Sequence, residues 1–374
     1  MKKRPLTIAV TGMNATDNPA PGIGVLRSLR EKSEPGERLV GLAYDALDPG
    51  VYAGDIVSDV FLLPYPSSSL ESFFDRLEYI KDRVGLDVII PTLDAELTAF
   101  MSIEQRLRSL GVGTLLPTRA QFDLRSKANL ADLGRRAEVR VPKTVVINSA
   151  SELATVHEKI PYPFWVKGVF YGATLVHTLD DALAAFHKAA IQWGVPIIIQ
   201  AGVFGEELNV VGVGDGEGGL VGAVPMKKLL LTDKGKGWAG ITIKDPELLA
   251  VAERFVKATG WRGPFEVEVI RDRDGRYQLL EINPRFPAWV HLATAAGMNL
   301  PHAVAQMAVG RSAKPMRDYS VGTVFVRISI DQIAGLGDLE RILTAGEILR
   351  NEIRTSSIAP PVTPSVDEAP RSAA

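Results

Sequence analysis

Residues 264–286 read PFEVEVIRDRDGRYQLLEINPRF, and this stretch decides the fold. EVEVI alternates polar and apolar residues, RDRDG supplies a turn, and RYQLLEI resumes a strand, so the spacing predicts a two-stranded hairpin. The hairpin carries Glu268, Glu281, Asn283 and Arg285, and Glu266 lies on the same strand face as Glu268. Carboxylates and an amide oxygen facing one cleft are hard oxygen ligands, suited to Mg2+ rather than zinc. Arg285 adds a planar fork that can hold a phosphate or carboxylate through two bonds. An acidic surface hairpin closed by a proline is the plain alternative. An E-x-N-P-R run behind an apolar Leu-Leu pair favours the chemical reading.

Composition narrows the rest. The chain has 374 residues, enough for two or three domains, and 46% are hydrophobic, enough for a sizeable core. A net charge of −2 offers neither a basic field for nucleic acid nor an acidic one for a polycation. There is no cysteine, which excludes disulfides, cysteine-ligated zinc, a cysteine nucleophile and a built-in cysteine glutaminase. The five histidines lack metal-ligand spacing. No apolar run approaches the roughly 18 residues of a membrane helix, and Leu6–Val10 is too short for a signal-peptide core, so a cytoplasmic protein without membrane contact is expected.

Strands alternate with helices from LTIAVTG to LDVIIPTLD (residues 6–94), which implies a parallel sheet with helices on both faces. The loop at Thr92, Asp94 and Glu96 then opens at the carboxyl edge of that sheet, where such folds bind ligands. Contact with a substrate and capping of the next helix by Thr92 or Asp94 are both open readings of PTLDAEL. Gly12, Gly22 and Gly24 miss the G-x-G-x-x-G spacing, which argues against nicotinamide binding. A second α/β unit starts at Thr118 with one helix over Arg119–Leu133. It continues through the strand-loop-strand PFWVKGVFYGATLV (163–176), an antiparallel pair joined by DGEGG, a helix over 245–260 and a last strand over 321–329. The Pro-, Ser- and Ala-rich end reads as a disordered tail. No internal repeat is found.

At the E-x-N hairpin the chain resembles the ATP-grasp ligases, in particular their carboxylate–amine ligase and carbamoyl-phosphate synthetase large-chain branches. The thirteen positions from Glu268 to Glu281 match that family's strand-turn-strand, and the likeness extends over roughly residues 5–310. The resemblance implies an α/β protein: an N-terminal parallel-sheet pre-ATP-grasp domain over 1–117, then a two-subdomain α+β ATP-grasp fold. Its lid subdomain would span 118–198, its metal-bearing subdomain 199–350, with the tail at 351–374. The implied cofactors are ATP and two Mg2+ ions, with Mn2+ as a substitute. Their ligands would be Glu281, Asn283 and either Glu268 or Glu266.

The same resemblance assigns the nucleotide contacts. Lys127 and Lys167 would reach the phosphates, with solvated lysines as the plain reading of both. Gly172 and Thr174 belong to a phosphate loop poorer in glycine than is usual for the family. Gln200, Ala201 and Val203 would form the adenine hinge, recognising the base through backbone groups. Glu207 would bind the ribose, and Leu280 would pack under the base. Lys228 would touch the γ-phosphate and Arg285 would orient an acyl phosphate or carboxylate, while Lys234 and Lys236 read as solvated. His291 reads as a packed helix residue, with the acceptor cleft as the alternative. The implied activity is amide or peptide-bond formation between a small-molecule carboxylate and an amine, such as an amino acid or peptide, through an acyl phosphate. Phosphorylation of bicarbonate or carbamate, and a non-catalytic ATP-binding role, are the alternatives. No nucleic acid partner is expected, and a homodimer is.

Overall fold

The computed structural model describes residues 4–15, 18–126, 129–168, 172–233 and 235–350. The first unit runs β1 (Thr7–Val10), α1 (Pro21–Glu31), β2 (Arg38–Ala43), β3 (Asp59–Leu62), α2 (Leu70–Val84), β4 (Val88–Ile90) and α3 (Asp94–Ser109). Strands β1 to β4 are parallel, in the order β3-β2-β1-β4. Ser69 caps α2 by accepting from the Ser72 amide, as its place before LESFF requires. Two apolar faces follow from buried strands. Phe73, Leu77, Phe100 and Ile103 of α2 and α3 cover one, and Val25, Leu26 and Leu29 of α1 cover the other. Gly22 lets α1 start against β1, since a Cβ there would lie 2.1 Å from the Thr11 carbonyl oxygen.

The single helix expected over Arg119–Leu133 is two, α4 (Arg119–Leu124) and α5 (Leu130–Arg136). The Asn129 amide donates to the Asp123 carbonyl, so a side chain takes over a backbone partner at the break. Next come β5 (Thr144–Ile147), α6 (Leu153–Lys159), β6 (Phe164–Lys167), β7 (Ala173–Val176), α7 (Leu179–Trp193) and β8 (Ile197–Ala201). They form a four-stranded antiparallel sheet, β5-β8-β6-β7, with Leu153, Val156, Ala182 and Phe186 of its helices packed against it.

The chain continues as β9 (Gly205–Asp215), β10 (Leu220–Leu231), β11 (Gly237–Thr242), α8 (Pro246–Thr259), β12 (Arg262–Asp272) and β13 (Tyr277–Asn283). It ends with α9 (His291–Ala295), α10 (Leu300–Ala308), β14 (Val324–Val326), α11 (Leu336–Ala345) and β15 (Glu347–Leu349). A six-stranded antiparallel sheet results, β13-β12-β9-β10-β11-β14. On one face α8 buries Leu248, Val251 and Phe255 against Leu208, Val210, Phe265 and Val267. On the other, Val211, Val224 and Met226 share a core with α1 and α10, and so with the first sheet.

The closing strand is unforeseen in the sequence. β15 pairs antiparallel with β3, nearly three hundred residues earlier by number, and Arg76 ties it down by donating to the carbonyls of Leu62 (3.0 Å) and Gly346 (2.7 Å). The strand expected over 321–329 is only three residues long. Ile348 is fully buried in the core shared by the two sheets. Replacing Ile348 by Ala should therefore cost about 2–5 kcal/mol in urea-unfolding free energy. A loss within a few tenths of wild type would mean that β15 is not part of the cooperative fold.

Candidate functional site

The candidate site side chains sit on the face of the six-stranded sheet opposite α8. Directly paired residues share a face, and three registers align them. Glu207 on β9 neighbours Lys228 on β10 two positions from the Asn209–Met226 pair, Asn209 faces Glu268, and Glu268 faces Glu281. Glu266 faces Asn283 in the next row. A β-bulge makes this possible. The register slips between Glu268 and Val269, so Leu280 has no opposite residue. Strict alternation would send Glu281 into the core behind Leu279; the extra residue returns Glu281 and Asn283 to the Glu268 face.

Glu266 is 4% exposed and surrounded by donors. Its Oε1 accepts from Asn209 Nδ2 and Trp289 Nε1, both at 2.7 Å, and its Oε2 accepts from Asn283 Nδ2 at 3.0 Å. Asn283 Nδ2 also donates to Glu268 Oε1 at 2.9 Å. The two carboxylates thus fix the amide, and its Oδ1 turns to Arg285, 3.3 Å away. Glu268 is more open: its Oε2 accepts from Lys228 Nζ at 3.1 Å, and the same ammonium donates to Glu207 at 3.0 Å. Arg285 donates to Asp94 of α3 at 2.6 Å, which joins the first sheet's carboxyl edge to the hairpin.

Charge is balanced within this cluster. Burial, and Glu268 beside it, push the Glu266 carboxyl up to about 7 against the pull of Arg285, Trp289 and Asn209. Burial also raises Glu268, but Lys228 and Arg285 outweigh it and hold that carboxyl below its usual value. Burial lowers Lys228, and Glu268 and Glu207 more than reverse this, so it stays an ammonium. Among the described residues no group of three or more Asp, Glu or His side chains is gathered as a metal cage. The oxygen set is mixed instead: Glu268, Glu281 opposite it, and the oriented Asn283 amide. Hard oxygens of this kind fit Mg2+ and do not fit a soft metal.

Other residues singled out in the sequence are placed as follows. Lys167 donates to Gln200 Oε1 at 2.6 Å, so β6 and β8 bring these two together. Thr174 faces Val166, one residue out of phase with Lys167, and so lies on the opposite, helix-covered face of that sheet. Gly172 has φ +84°, a conformation glycine adopts without strain. At the Gln200–Val203 hinge, the Ala201 amide already donates to Lys143 O (2.8 Å) and the Gly202 amide to Pro163 O (3.2 Å). Lys127 and Lys234 lie outside the described residues. His291 pairs with Glu31 at the end of α1, where both side chains remain partly exposed. Glu96, not Thr92 or Asp94, caps α3: its buried carboxylate accepts from the Thr92 and Leu93 amides, Tyr44 and Thr11.

Known proteins are similar to this chain in sequence or fold. Residues 195–328 match the family described as ATP-grasp in the biosynthetic pathway with Ter operon. Biotin carboxylase from Campylobacter jejuni superposes with a TM-score of 0.64 at 16% identity, over 82% of this chain and 72% of that one. Over residues 195–328 the chain resembles the ATP-grasp family. An L-amino acid ligase from Bacillus licheniformis shares this ATP-grasp fold at a TM-score of 0.60 and 17% identity, over 82% of this chain and 75% of that one. A D-alanine–D-alanine ligase of Chromohalobacter salexigens is 28% identical over 169 residues, 42% of this chain. The match spans 54% of that relative's length. The α/β class and the ATP-grasp architecture expected from the hairpin are therefore those of the chain.

Three members of this polar cluster escaped the sequence reading: Asn209, Trp289 and Arg125, whose guanidinium lies 3.7 Å from Asp94. Asn209 had a signal, a polar residue in phase with Glu207 within an apolar strand. Trp289 had none, since a buried tryptophan in a helix-entry loop is ordinary core. The raised carboxyl of Glu266 makes a testable statement. Its folded pKa exceeds the unfolded one, so the folded state holds an extra proton between about 4.5 and 7, and stability falls as pH rises through that window. Melting curves of the metal-free protein should show this loss, and Glu266→Gln should flatten it. An equally steep profile in the variant would assign the loss to other groups.

Proposed function

We propose that the chain is an ATP- and Mg2+-dependent ligase joining a small-molecule carboxylate to an amine. The observation that carries this reading is the alignment of Glu207, Lys228, Glu268, Glu281 and Asn283 on one sheet face, with Arg285 linking that face to Asp94. The kinship with D-alanine–D-alanine ligase supports it, because a ligase of that kind works on the same pair of chemical groups. In this reading residues 1–117 help form the acceptor side, while 118–198 and 199–350 hold the nucleotide between them.

Glu268, Glu281 and Asn283 would hold the metal, with Glu266 fixing the amide from behind. Bound Mg2+ supplies neutralisation of phosphate charge during phosphoryl transfer. The remaining work falls to this chain's side chains. Lys228 and Lys167, and Lys127 beyond the described residues, stabilise the phosphate oxygens. Glu207 takes the ribose hydroxyls, and binding there draws it from Lys228, which releases the ammonium towards phosphate. Arg285 receives the substrate carboxylate in place of Asp94 and holds it in line with the γ-phosphorus. A carboxylate oxygen bonds to that phosphorus as the bond to ADP breaks. The amine nitrogen then bonds to the acyl carbon, phosphate leaves with the C–O electron pair, and the amine loses its proton.

Purified protein with Mg·ATP should release ADP only when a carboxylate and an amine are both present. Lys228→Met and Glu281→Ala should each lower that release by at least about 100-fold, with melting temperatures near wild type for the Glu281 variant. Release driven by bicarbonate alone would replace the ligase reading with carbamate-type phosphorylation. Full activity of Glu281→Ala would remove the metal assignment.

A further inference from the structure

The last strand of the large sheet runs into a segment that no other described strand covers. β14 pairs with β11 through Val324, Phe325 and Val326, and Arg327 adds one more amide bond to Trp238 O at 3.0 Å. No described strand pairs with residues 328–333. The sequence nevertheless keeps a strand's alternation through FVRISIDQI (325–333). Val326, Ile328 and Ile330 fall on one face; Phe325, Arg327, Ser329, Asp331 and Ile333 fall on the other. Ile328 is 74% exposed, Ile330 64% and Ile333 88%. Leu230, itself 54% exposed, pairs with Ala239, which pairs with Val326, so the apolar row extends back across the sheet. An apolar ribbon on an open sheet edge is a template for another strand.

Arg327 points to which strand. Its guanidinium donates to Gly237 O at 3.1 Å and lies 5.3 Å from the Phe325 ring centroid, but among the described residues it has no carboxylate partner. Burial without a counter-ion pulls its pKa down to about 10. A half-buried cation of this kind gains from a carboxylate supplied by whatever covers the ribbon.

We propose that two copies of this chain pair through residues 325–333 as an antiparallel ribbon about a two-fold axis at Ser329. In this register Ile328 faces the partner's Ile330, Phe325 faces the partner's Ile333, and Arg327 faces the partner's Asp331, each contact occurring twice by symmetry. Moving the axis to Val326 or Ile328 leaves Arg327 opposite Phe325 or Ser329, and moving it to Arg327 sets two arginines against each other. Of the axes from Val326 to Ile330, only Ser329 pairs the charges, and it also pairs the isoleucines. The two large sheets then join edge to edge, which closes both open edges.

Light scattering and sedimentation of the full chain over a concentration series should report a dimer. Arg327→Asp should weaken association at least about tenfold by setting aspartate against aspartate twice. The double variant Arg327→Asp with Asp331→Arg should restore it, since the swap keeps each facing pair opposite in charge. Ser329→Cys, in a chain without cysteine, should give a covalent dimer on oxidation. Melting curves establish that each variant is folded. A monomer at every concentration overturns the proposal, as does a dimer that ignores the charge reversal and does not cross-link at position 329. Dimerisation that appears only after removal of residues 351–374 also overturns it, because the ribbon's occupant is then the chain's own end.

Discussion

One buried carboxylate organises the centre of this molecule. Glu266 lies in the first strand of the hairpin, and both of its oxygens accept hydrogen bonds from side chains that come from elsewhere. Asn209 comes from β9, Asn283 from β13, and Trp289 from the segment that enters the small helices over the first sheet. A charge removed from water is tolerated only when its hydrogen bonds are made. The three donors therefore have little freedom: shifting any of the strands by a residue would strand the carboxylate in the core. Trp289 also belongs to the core shared by the two large sheets, so the polar anchor and the apolar packing constrain the same segment.

From that anchor the rest of the cluster follows. The Asn283 amide has its nitrogen between two carboxylates, and the reverse orientation would set oxygen against oxygen twice. Its carbonyl oxygen is thereby presented outward, where Arg285 donates to it at 3.3 Å. Glu268, one row further, is free to meet Lys228, and Lys228 to meet Glu207. The result is an alternation of anions and cations along a sheet face, in which each charge is held close to a partner it can leave. A site that must accept metal and polyphosphate benefits from such exchangeable pairs, because an incoming ion replaces a contact instead of creating one from bare solvent.

The hairpin itself was legible. EVEVI, RDRDG and RYQLLEIN place the turn, and the polar positions of the first strand identify its working face. What the alternation misjudged is the second strand: read with period two, Glu281 belongs to the core face, and only a bulge at Leu280 reverses it. The helices were legible where a cap was present, as at Ser69 before α2 and Asp245 before α8, whose side chains accept from amides three residues on. Where side chains competed with the backbone, as between α4 and α5, one periodic stretch became two helices. β15 was invisible, since three residues carry no period, and their partner lies on β3.

The sequence by itself determined the local grammar of this protein: parallel strands from near-continuous apolar runs, antiparallel ones from alternation, and a hard-oxygen set from the E-x-N hairpin. These features depend on residues within about a dozen positions of each other, where side-chain period and turn chemistry act directly. Tertiary structure alone decided which of two adjacent glutamates is walled in and which is open. It also decided that Asp94 meets Arg285 across 191 positions of chain, and that Arg327 meets no carboxylate among the described residues. Burial and Coulomb interactions act through space, and the chain distances that separate these groups carry no signal of it.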